Sequence, residues 1–339
     1  MDPFTHGILG ASAALTRAKT NRTTLAAAII AGLCGGMFPD IDIFIRSAEN
    51  PLLQIQYHRH FTHALVFVPL GAAIVALGLW PLLRRYASLA RLWMFAALGM
   101  VTHGVLDAFT SYGTHLFWPF TNARTSWSFV SVVDPIVTIA LLIGVIGFYR
   151  SHKRAWVIGA LAFFALYLGF GGIQNYRTEN AMRALAQTRG HSVELIEVKS
   201  TLFNNIVWRS NYTSNGVIYN DGWYMGPFGG MVHYPGGQVP QLNMARDFPT
   251  LPTDSVLAHD IEKFRFFSAG FVGVKPDDPS VIGDFRYALL PDAIGPLWGI
   301  RIDTTQPSQH PAFESFRQMT DATWARFFAM LRGKELPPS

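Results

Sequence analysis

Cysteine is almost missing from this 339-residue chain: Cys34 is the only one, which excludes an intrachain disulfide and a thiolate metal cluster and leaves the redox compartment unreadable. Charge is scarce too, at 14% of residues against roughly 25% in an ordinary soluble domain, while 50% are hydrophobic and mean hydropathy is +0.22. Such a chain cannot hide its apolar surface in one water-soluble core. The N-terminus lacks the basic stretch of a signal peptide and carries Asp2 instead; although Ala11-Ser12-Ala13 resembles a cleavage site, a retained short helix is the expectation. The glycines of "GLCGG" at 32 to 36 have no Lys-Ser or Lys-Thr after them and no strand before them, so they are no phosphate loop. They read as small residues that let helices approach closely. There is no internal repeat and no low-complexity tract.

What the chain does have is an uneven distribution of apolar residues. Apolar segments lie near 6 to 16, 24 to 39, 61 to 83, 92 to 110, 131 to 149 and 155 to 173. The last four, about 18 to 23 residues each, match a hydrocarbon core of about 30 Å at about 1.5 Å per helical residue. The first two are short and are expected to tilt, to re-enter, or to pack inside the bundle. Residues 174 to 339 have an ordinary soluble composition. They open with "QNYRTENAMRALAQTRG", an amphipathic helix closed by Gly190, after a flexible exit at "GFGG". "VELIEV", "NGVIYN", "KFRFFSAGFVGV" and "VIGDFRYALL" read as antiparallel strands of a small β domain of about 115 residues, followed by an amphipathic helix near 313 to 332. The expected fold is an α-helical membrane bundle of about five to six apolar helices over 1 to 173, then a soluble α+β domain with a small antiparallel sheet over 174 to 339.

Orientation follows from lysine and arginine. Arg17, Lys19, Arg22, Arg84, Arg85, Arg91, Arg150, Lys153 and Arg154 fall in alternate connections, whereas loops 40 to 60 and 111 to 130 carry only Arg46, Arg59 and Arg124. The positive-inside rule puts the first set in the cytoplasm and the second half of the chain outside. This spacing also accounts for the pI near 9.4 without nucleic acid, which is not an expected partner.

Through residue 173 the acidic residues are Asp2, Asp40, Asp42, Glu49, Asp107 and Asp134. An ionisable group within a span costs roughly 2.5 to 3.5 kcal/mol on insertion scales, so each needs a partner or a purpose. Asp40 and Asp42 end the second segment; His58, His60 and His63 open the third; His103 and Asp107 share a helix face near the end of the fourth; Asp134 starts the fifth. Placed on the lysine and arginine topology, all fall toward the outer ends of their segments, and His6 joins them if the first segment spans or dips in from outside. Imidazole with carboxylate and no thiolate is the ligand set of Zn²⁺, Mn²⁺ or Fe²⁺, and the number of groups allows two ions about 3.5 to 4 Å apart. Plainer readings stand beside this one. Asp40 also fits a helix end after Pro39, His103 and Asp107 a hydrogen-bonded pair between helices, and Asp134-Pro135 an N-cap with proline at N1. His58 and His60 also fit interfacial positions with no ligand role, and for His60 that reading is preferred. His115 and His152 read as loop residues, and His191, His233, His259 and His310 as structural.

At "THGILGA" (His6), "FPDID" (Asp40, Asp42), "HRHFTHAL" (His58, His63) and "THGVLDAFTSYGT" (His103, Asp107) the sequence resembles the bacterial inner-membrane, metal-dependent hydrolase family of YdjM-like proteins, some of which are described as LexA-binding. The resemblance covers roughly residues 1 to 150 and extends to longer members through "FRFFSAGF" and "GDFRY". It implies a zinc-type hydrolase, akin in helical layout to the zinc phospholipase C and P1 nuclease group. The family usually has glycine where this chain has His60, which argues against His60 as an essential ligand. A LexA partner would need a cytoplasmic surface, and the inner loops are short, so that property is not carried over.

The resulting expectation is a hydrolase of the bacterial cytoplasmic membrane, multi-pass, with its site at the outer leaflet. His6, Asp40, Asp42, His58, His63, His103 and Asp107 would hold one or two divalent ions, zinc first. Asp42 or Asp134 would take a proton from water as the catalytic carboxylate, and Arg59 and Arg124 would steady an anionic phosphate. The site's depth favours membrane lipid or another amphiphilic or lipid-linked phosphoester or ester as substrate; no protein partner is specified. The alternative is a non-catalytic scaffold or sensor whose structural metal or polar cluster holds the helices while the outer domain binds a partner. A transporter fits less well, because the polar groups gather at one face.

Overall fold

The Asp2 carboxylate accepts a hydrogen bond from the Thr5 amide at 3.0 Å and Pro3 brings a preset φ, so helix α1 (Pro3–Leu15) starts at once. The computed structural model describes residues 1–338. Asn21 caps α2 (Arg22–Met37), which passes into a 3₁₀ segment, Phe38–Phe44, where Pro39 contributes no amide to the helical ladder. Short α3 (Leu52–Tyr57) and 3₁₀ turns at Phe61–His63 and Leu65–Phe67 lead to α4 (Val68–Leu83), α5 (Leu89–Ala108), α6 (Pro135–Ser151) and α7 (Ala155–Thr188).

The chain divides into two units. The first comprises residues 1–45, 57–173 and 202–204; the second comprises 46–56, 174–201 and 205 onward. Four helical stretches are long and apolar enough to cross a membrane: Arg22–Phe44, Leu65–Leu83, Leu89–Ala108 and Ala155–Thr188. α6 is shorter, at 17 residues, but Ile136, Ile139, Ile143 and Ile146 form an exposed apolar stripe along it, as a lipid-facing helix requires. α1 is packed inside the bundle, with Thr5 through Ser12 all buried. It can approach α2 so closely because both carry glycine at the crossing: a Cβ on Gly10 would lie 2.3 Å from the Gly32 carbonyl oxygen. Besides a small cluster of Ala72, Val75, Ala96 and Met100 between α4 and α5, two larger apolar clusters fill the bundle. One gathers Leu15, Leu25, Leu83, Leu92, Phe148 and Val157 from the ends nearest the basic turns, where Arg154 donates to the Ala18 carbonyl at 2.9 Å. The other gathers Ile8, Leu9, Leu106, Val137, Leu141 and Leu168.

The second unit is α+β with two small antiparallel sheets of four strands each. The first sheet is the meander β1 (Ile196–Ser200), β2 (Val207–Ser214), β3 (Val217–Met225) and β4 (Met231–Pro240). Asn215 and Gly216, both with positive φ, make the two-residue turn that joins β2 to β3. Trp208, Tyr212 and Trp223 of this sheet pack against Met182 and Ala186 of α7. After α8 (Met244–Asp247) and α9 (Val256–Phe267) comes the second sheet: β5 (Val272–Lys275), β6 (Asp278–Asp284), β7 (Trp298–Arg301) and β8 (Ala312–Ser315). Helix α10 (Asp321–Leu331) buries Phe327 and Met330 against Val207 and Tyr234.

Three local expectations change. "GFGG" is no exit: residues 155 to 188 are one helix, because its three glycines cost only about 1 kcal/mol each and no proline interrupts the ladder. "KFRFF" is helical, capped by Ser255, because Leu257, Ile261 and Phe264 recur at helical spacing on one buried face. Residues 312 to 315 pair with β7 as an edge strand, so the last helix begins only at Asp321 behind the Thr320 cap.

Candidate metal centre

The polar residues of the bundle meet where α1 begins and where α2 and α5 end. A Cβ on Gly36 would lie 2.4 Å from the His6 carbonyl oxygen, so only glycine allows α2 to pass this close to α1. The Gly36 carbonyl accepts a hydrogen bond from Nδ1 of His103 at 2.6 Å. That contact assigns the His103 proton to Nδ1 and turns the Nε2 lone pair inward. His63 is fixed in the same sense: its Nδ1 lies 3.0 Å from Thr62 Oγ1 and 3.2 Å from Asp42 Oδ2, and the Thr62 hydroxyl donates to that carboxylate at 2.8 Å. The consequence is that two Nε2 atoms, each with a lone pair, face one another 2.9 Å apart.

Carboxylates close the arrangement. Asp107, one helical turn after His103, places Oδ2 at 3.3 Å from His63 Nε2 and 3.5 Å from His103 Nε2, and Oδ1 at 3.0 Å from His6 Nε2. Asp40 Oδ1 lies 3.6 Å from both His63 and His103. The rings of His6 and His103 stack with centroids 3.7 Å apart. His58 Nδ1 sits 2.8 Å from Asp42 Oδ1. Three overlapping groups result, each with ligand atoms within 4.8 Å of one another: His6, His103 and Asp107; Asp40, His63 and His103; Asp40, Asp42 and His58. All seven residues singled out as ligands lie in these groups.

The donor set fits a divalent cation. Ligand atoms about 3 Å apart are the spacing that bonds of about 2.0–2.2 Å to one ion produce. Three carboxylates converge, and the neighbouring cations, the Arg59 guanidinium and the Met1 ammonium that donates to Asp107, are fewer than the carboxylates, so a further cation would offset the remaining buried charge. Nδ1 of His6 and Oδ2 of Asp107 are buried with no hydrogen-bond partner among the described residues. Asp40 and His58 keep 17% and 37% side-chain exposure, while the side chains of His6, Asp42, His63, His103 and Asp107 are sealed, so water reaches the cluster from the Asp40 and His58 side.

Arg59 is built into this wall. Its backbone is left-handed, at φ 65°, a conformation that costs a non-glycine residue about 1–2 kcal/mol. It is held there because its amide donates to Asp42 at 2.9 Å and its carbonyl accepts from the His115 amide at 3.0 Å. The guanidinium reaches Thr110 at 2.8 Å and Asp107 at 3.3 Å. The Arg124 guanidinium donates to the carbonyls of Tyr112 and Gly113. Burial, Arg124 and His60 push the His115 imidazole down to about 4, and its ring packs 4.5 Å from that of His60. Asp134 caps α6 by accepting from the Ile136 amide at 3.1 Å and takes the Tyr167 hydroxyl at 2.7 Å; it belongs to none of the three groups. Thr62, Thr110 and the Gly36 carbonyl were missed in the sequence. The two threonines lie inside "HRHFTH" and "LDAFTS", and that adjacency is the one signal available.

Comparison with known proteins places the whole cluster inside a shared region. A family model described as "YdjM inner membrane protein" matches residues 1–178. The chain is 26% identical over 228 residues to the uncharacterized protein YfhP of Bacillus subtilis (strain 168), covering 65% of this chain and 67% of YfhP. It is 31% identical over 113 residues to the inner membrane protein YbcI of Escherichia coli (strain K12), covering 31% of this chain and 61% of YbcI. No solved structure matches.

Proposed function

The chain belongs to the YdjM inner membrane protein family, and from that premise and the cluster's geometry we propose a membrane-bound metal-dependent hydrolase acting at the outer face of the cytoplasmic membrane. The observation that carries this reading is the pair of Nε2 lone pairs of His63 and His103, 2.9 Å apart and ringed by Asp40 and Asp107. His6, His63, His103, Asp40 and Asp107 would hold one or two divalent ions, with zinc first on ligand chemistry. When bound, such an ion supplies Lewis acidity, which acidifies water and polarises a phosphoryl or carbonyl oxygen.

The remaining steps belong to side chains. Asp42 orients His58 and His63 through their Nδ1 atoms, the carboxylate–histidine arrangement that fixes tautomer and ring direction at metal sites. Both its oxygens are engaged, so it could accept a proton only by releasing one of these contacts. Asp40, partly exposed on the water side, would face the ion through Oδ1, which leaves its other oxygen, Oδ2, better placed than Asp42 to take a proton from water. Asp134, one of the two carboxylates first considered for that task, is occupied as a helix cap. Arg59 stands beside Asp107, where the Met1 ammonium also lies, and would steady a developing phosphate charge, with Arg124 on the neighbouring loop.

The basic turns gather at the other ends of the same helices, and the positive-inside rule then puts the cluster at the outer leaflet. A site at that depth favours a phosphoester or ester of an amphiphile, a membrane lipid or lipid-linked phosphate. The test is to purify the protein in detergent, measure bound metal, and assay phosphomonoester, phosphodiester and carboxyl ester substrates with and without chelator. Turnover that requires metal and is lost in Asp107→Asn and His63→Ala with the fold retained is the expected result. Metal removal that only lowers the melting temperature, with no turnover of any substrate by the loaded protein, would leave the cluster a structural one.

A further inference from the structure

The hairpin joining β3 to β4 ends in Pro227-Phe228-Gly229-Gly230-Met231, five residues that are all exposed. Phe228 is fully open, at 103% relative exposure, and Met231 is 55% exposed. No acidic or basic side chain lies between Asp221 and His233. An isolated exposed apolar residue needs no explanation, but an aromatic at the apex of an uncharged loop does.

The tip is held rather than loose. Gly229 and Gly230 adopt φ of 133° and 77°, and the Gly226 amide donates to the Gly230 carbonyl at 3.1 Å. Two side chains of α7 grip the base of the turn. Gln174 donates to the Met225 carbonyl at 2.7 Å, and Arg177 donates to the carbonyls of Gly226 at 2.9 Å and Gly230 at 3.4 Å.

Where these two residues lie on α7 decides the meaning. The apolar part of that helix runs to Ile173, and Gln174 and Arg177 are the first polar positions on the gripping face beyond it. At about 1.5 Å per residue, Arg177 stands only about 6 Å along the helix from Ile173. Tyr176, beside them, is 67% exposed, as residues of the interfacial aromatic belt are. The base of the hairpin is therefore tied to α7 within about one turn of the point where that helix stops being apolar.

We infer that the β3–β4 tip is a membrane-insertion loop: Phe228 and Met231 enter the boundary between headgroups and acyl chains, so that the second unit contacts lipid through this hairpin as well as through its connection to the span. The committed partner is a bilayer surface, favoured over a second protein by continuity with the spanning helix and by the small, uncharged, projecting shape of the tip. The inference does not depend on the hydrolase reading or on which face of the membrane is involved.

A nitroxide at position 228 tests it. Cys34→Ser leaves the chain without cysteine; Phe228→Cys and, as a control, Asp254→Cys at an exposed site then give single labels on full-length protein in phosphatidylcholine–phosphatidylglycerol vesicles. Phe228 touches nothing that its loss would unpack, and Cys34→Ala is the second background should serine disturb the bundle. The expected result is that the 228 label relaxes more with oxygen, which partitions into lipid, than with a water-soluble nickel chelate, while the 254 label does the reverse. A 228 label that behaves like the 254 label overturns the inference, and so does one shielded from both reagents, which would mean that protein covers the tip.

Discussion

The bundle and the C-terminal unit both bury charge, but they leave it in different states. In the C-terminal unit several buried ions are matched: Arg209 donates to the carbonyls of Phe285, Leu290, Pro291 and Ala293, Arg286 pairs with Asp284 at 2.7 Å, and Asp221 takes both Arg189 and His233. In the bundle the imidazoles and carboxylates are held from behind and left with capacity in front, lone pair against lone pair. A satisfied network fixes a fold, whereas a network whose unspent capacity converges on one point has the donors to hold a cation there.

The largest effect that separates the two regions is expected at Arg209. Methionine there leaves the Phe285 and Pro291 carbonyls without their guanidinium donor, and each buried acceptor left unsatisfied costs about 1–3 kcal/mol. Arg209→Met should lower the denaturation midpoint of the C-terminal unit, followed by tryptophan fluorescence, without changing the metal content of the bundle. Loss of metal in this variant would show that the two networks are not independent.

Asp42→Asn should act next in size. An orienting carboxylate behind metal-binding histidines is worth roughly 10–100-fold in affinity, about 1.4–2.7 kcal/mol. Competition against a chelator should therefore show weakened but persistent binding in this variant, against abolished binding in Asp107→Asn. Equal losses in the two would make Asp42 a direct ligand.

The residues that converge stand out in the sequence for a physical reason: in a stretch with so few charges, an Asp or His inside an apolar run has no cheap place to go. Asp40, Asp42, His63, His103 and Asp107 are visible on that ground alone. Thr62, Thr110 and the Gly36 carbonyl are not, because hydroxyls and carbonyls occur everywhere and only tertiary contact selects among them. The β unit was harder to read for the same reason. Nothing local in "KFRFF" separates an aromatic strand from a helix until Ile261 and Phe264 find a common buried face. The continuity of α7 through "GFGG" likewise depends on a ladder longer than any local signal.

Lys199 is a buried cation of the C-terminal unit, and the effect of removing it should be the smallest and the most diagnostic. The residue is 4% exposed, and its Nζ lies 3.1 Å from the centre of the Tyr287 ring and 3.8 Å from Glu197, with no hydrogen-bond partner among the described residues. Burial, aided by Arg286 and Arg209 against the pull of Glu197 and Asp284, holds its pKa well below the ordinary 10.5. Below 10.5 the unfolded chain binds a proton that the folded chain refuses, so stability rises with pH from the lowered folded value up to 10.5 and the contribution is flat above it. The slope is at most about 1.4 kcal/mol per pH unit for one proton. Unfolding free energies measured between about pH 7 and 9 should climb in the wild-type chain and climb less in Lys199→Met, the difference isolating this one amine. If the two slopes coincide, Lys199 is charged and paired with Glu197 in the folded protein.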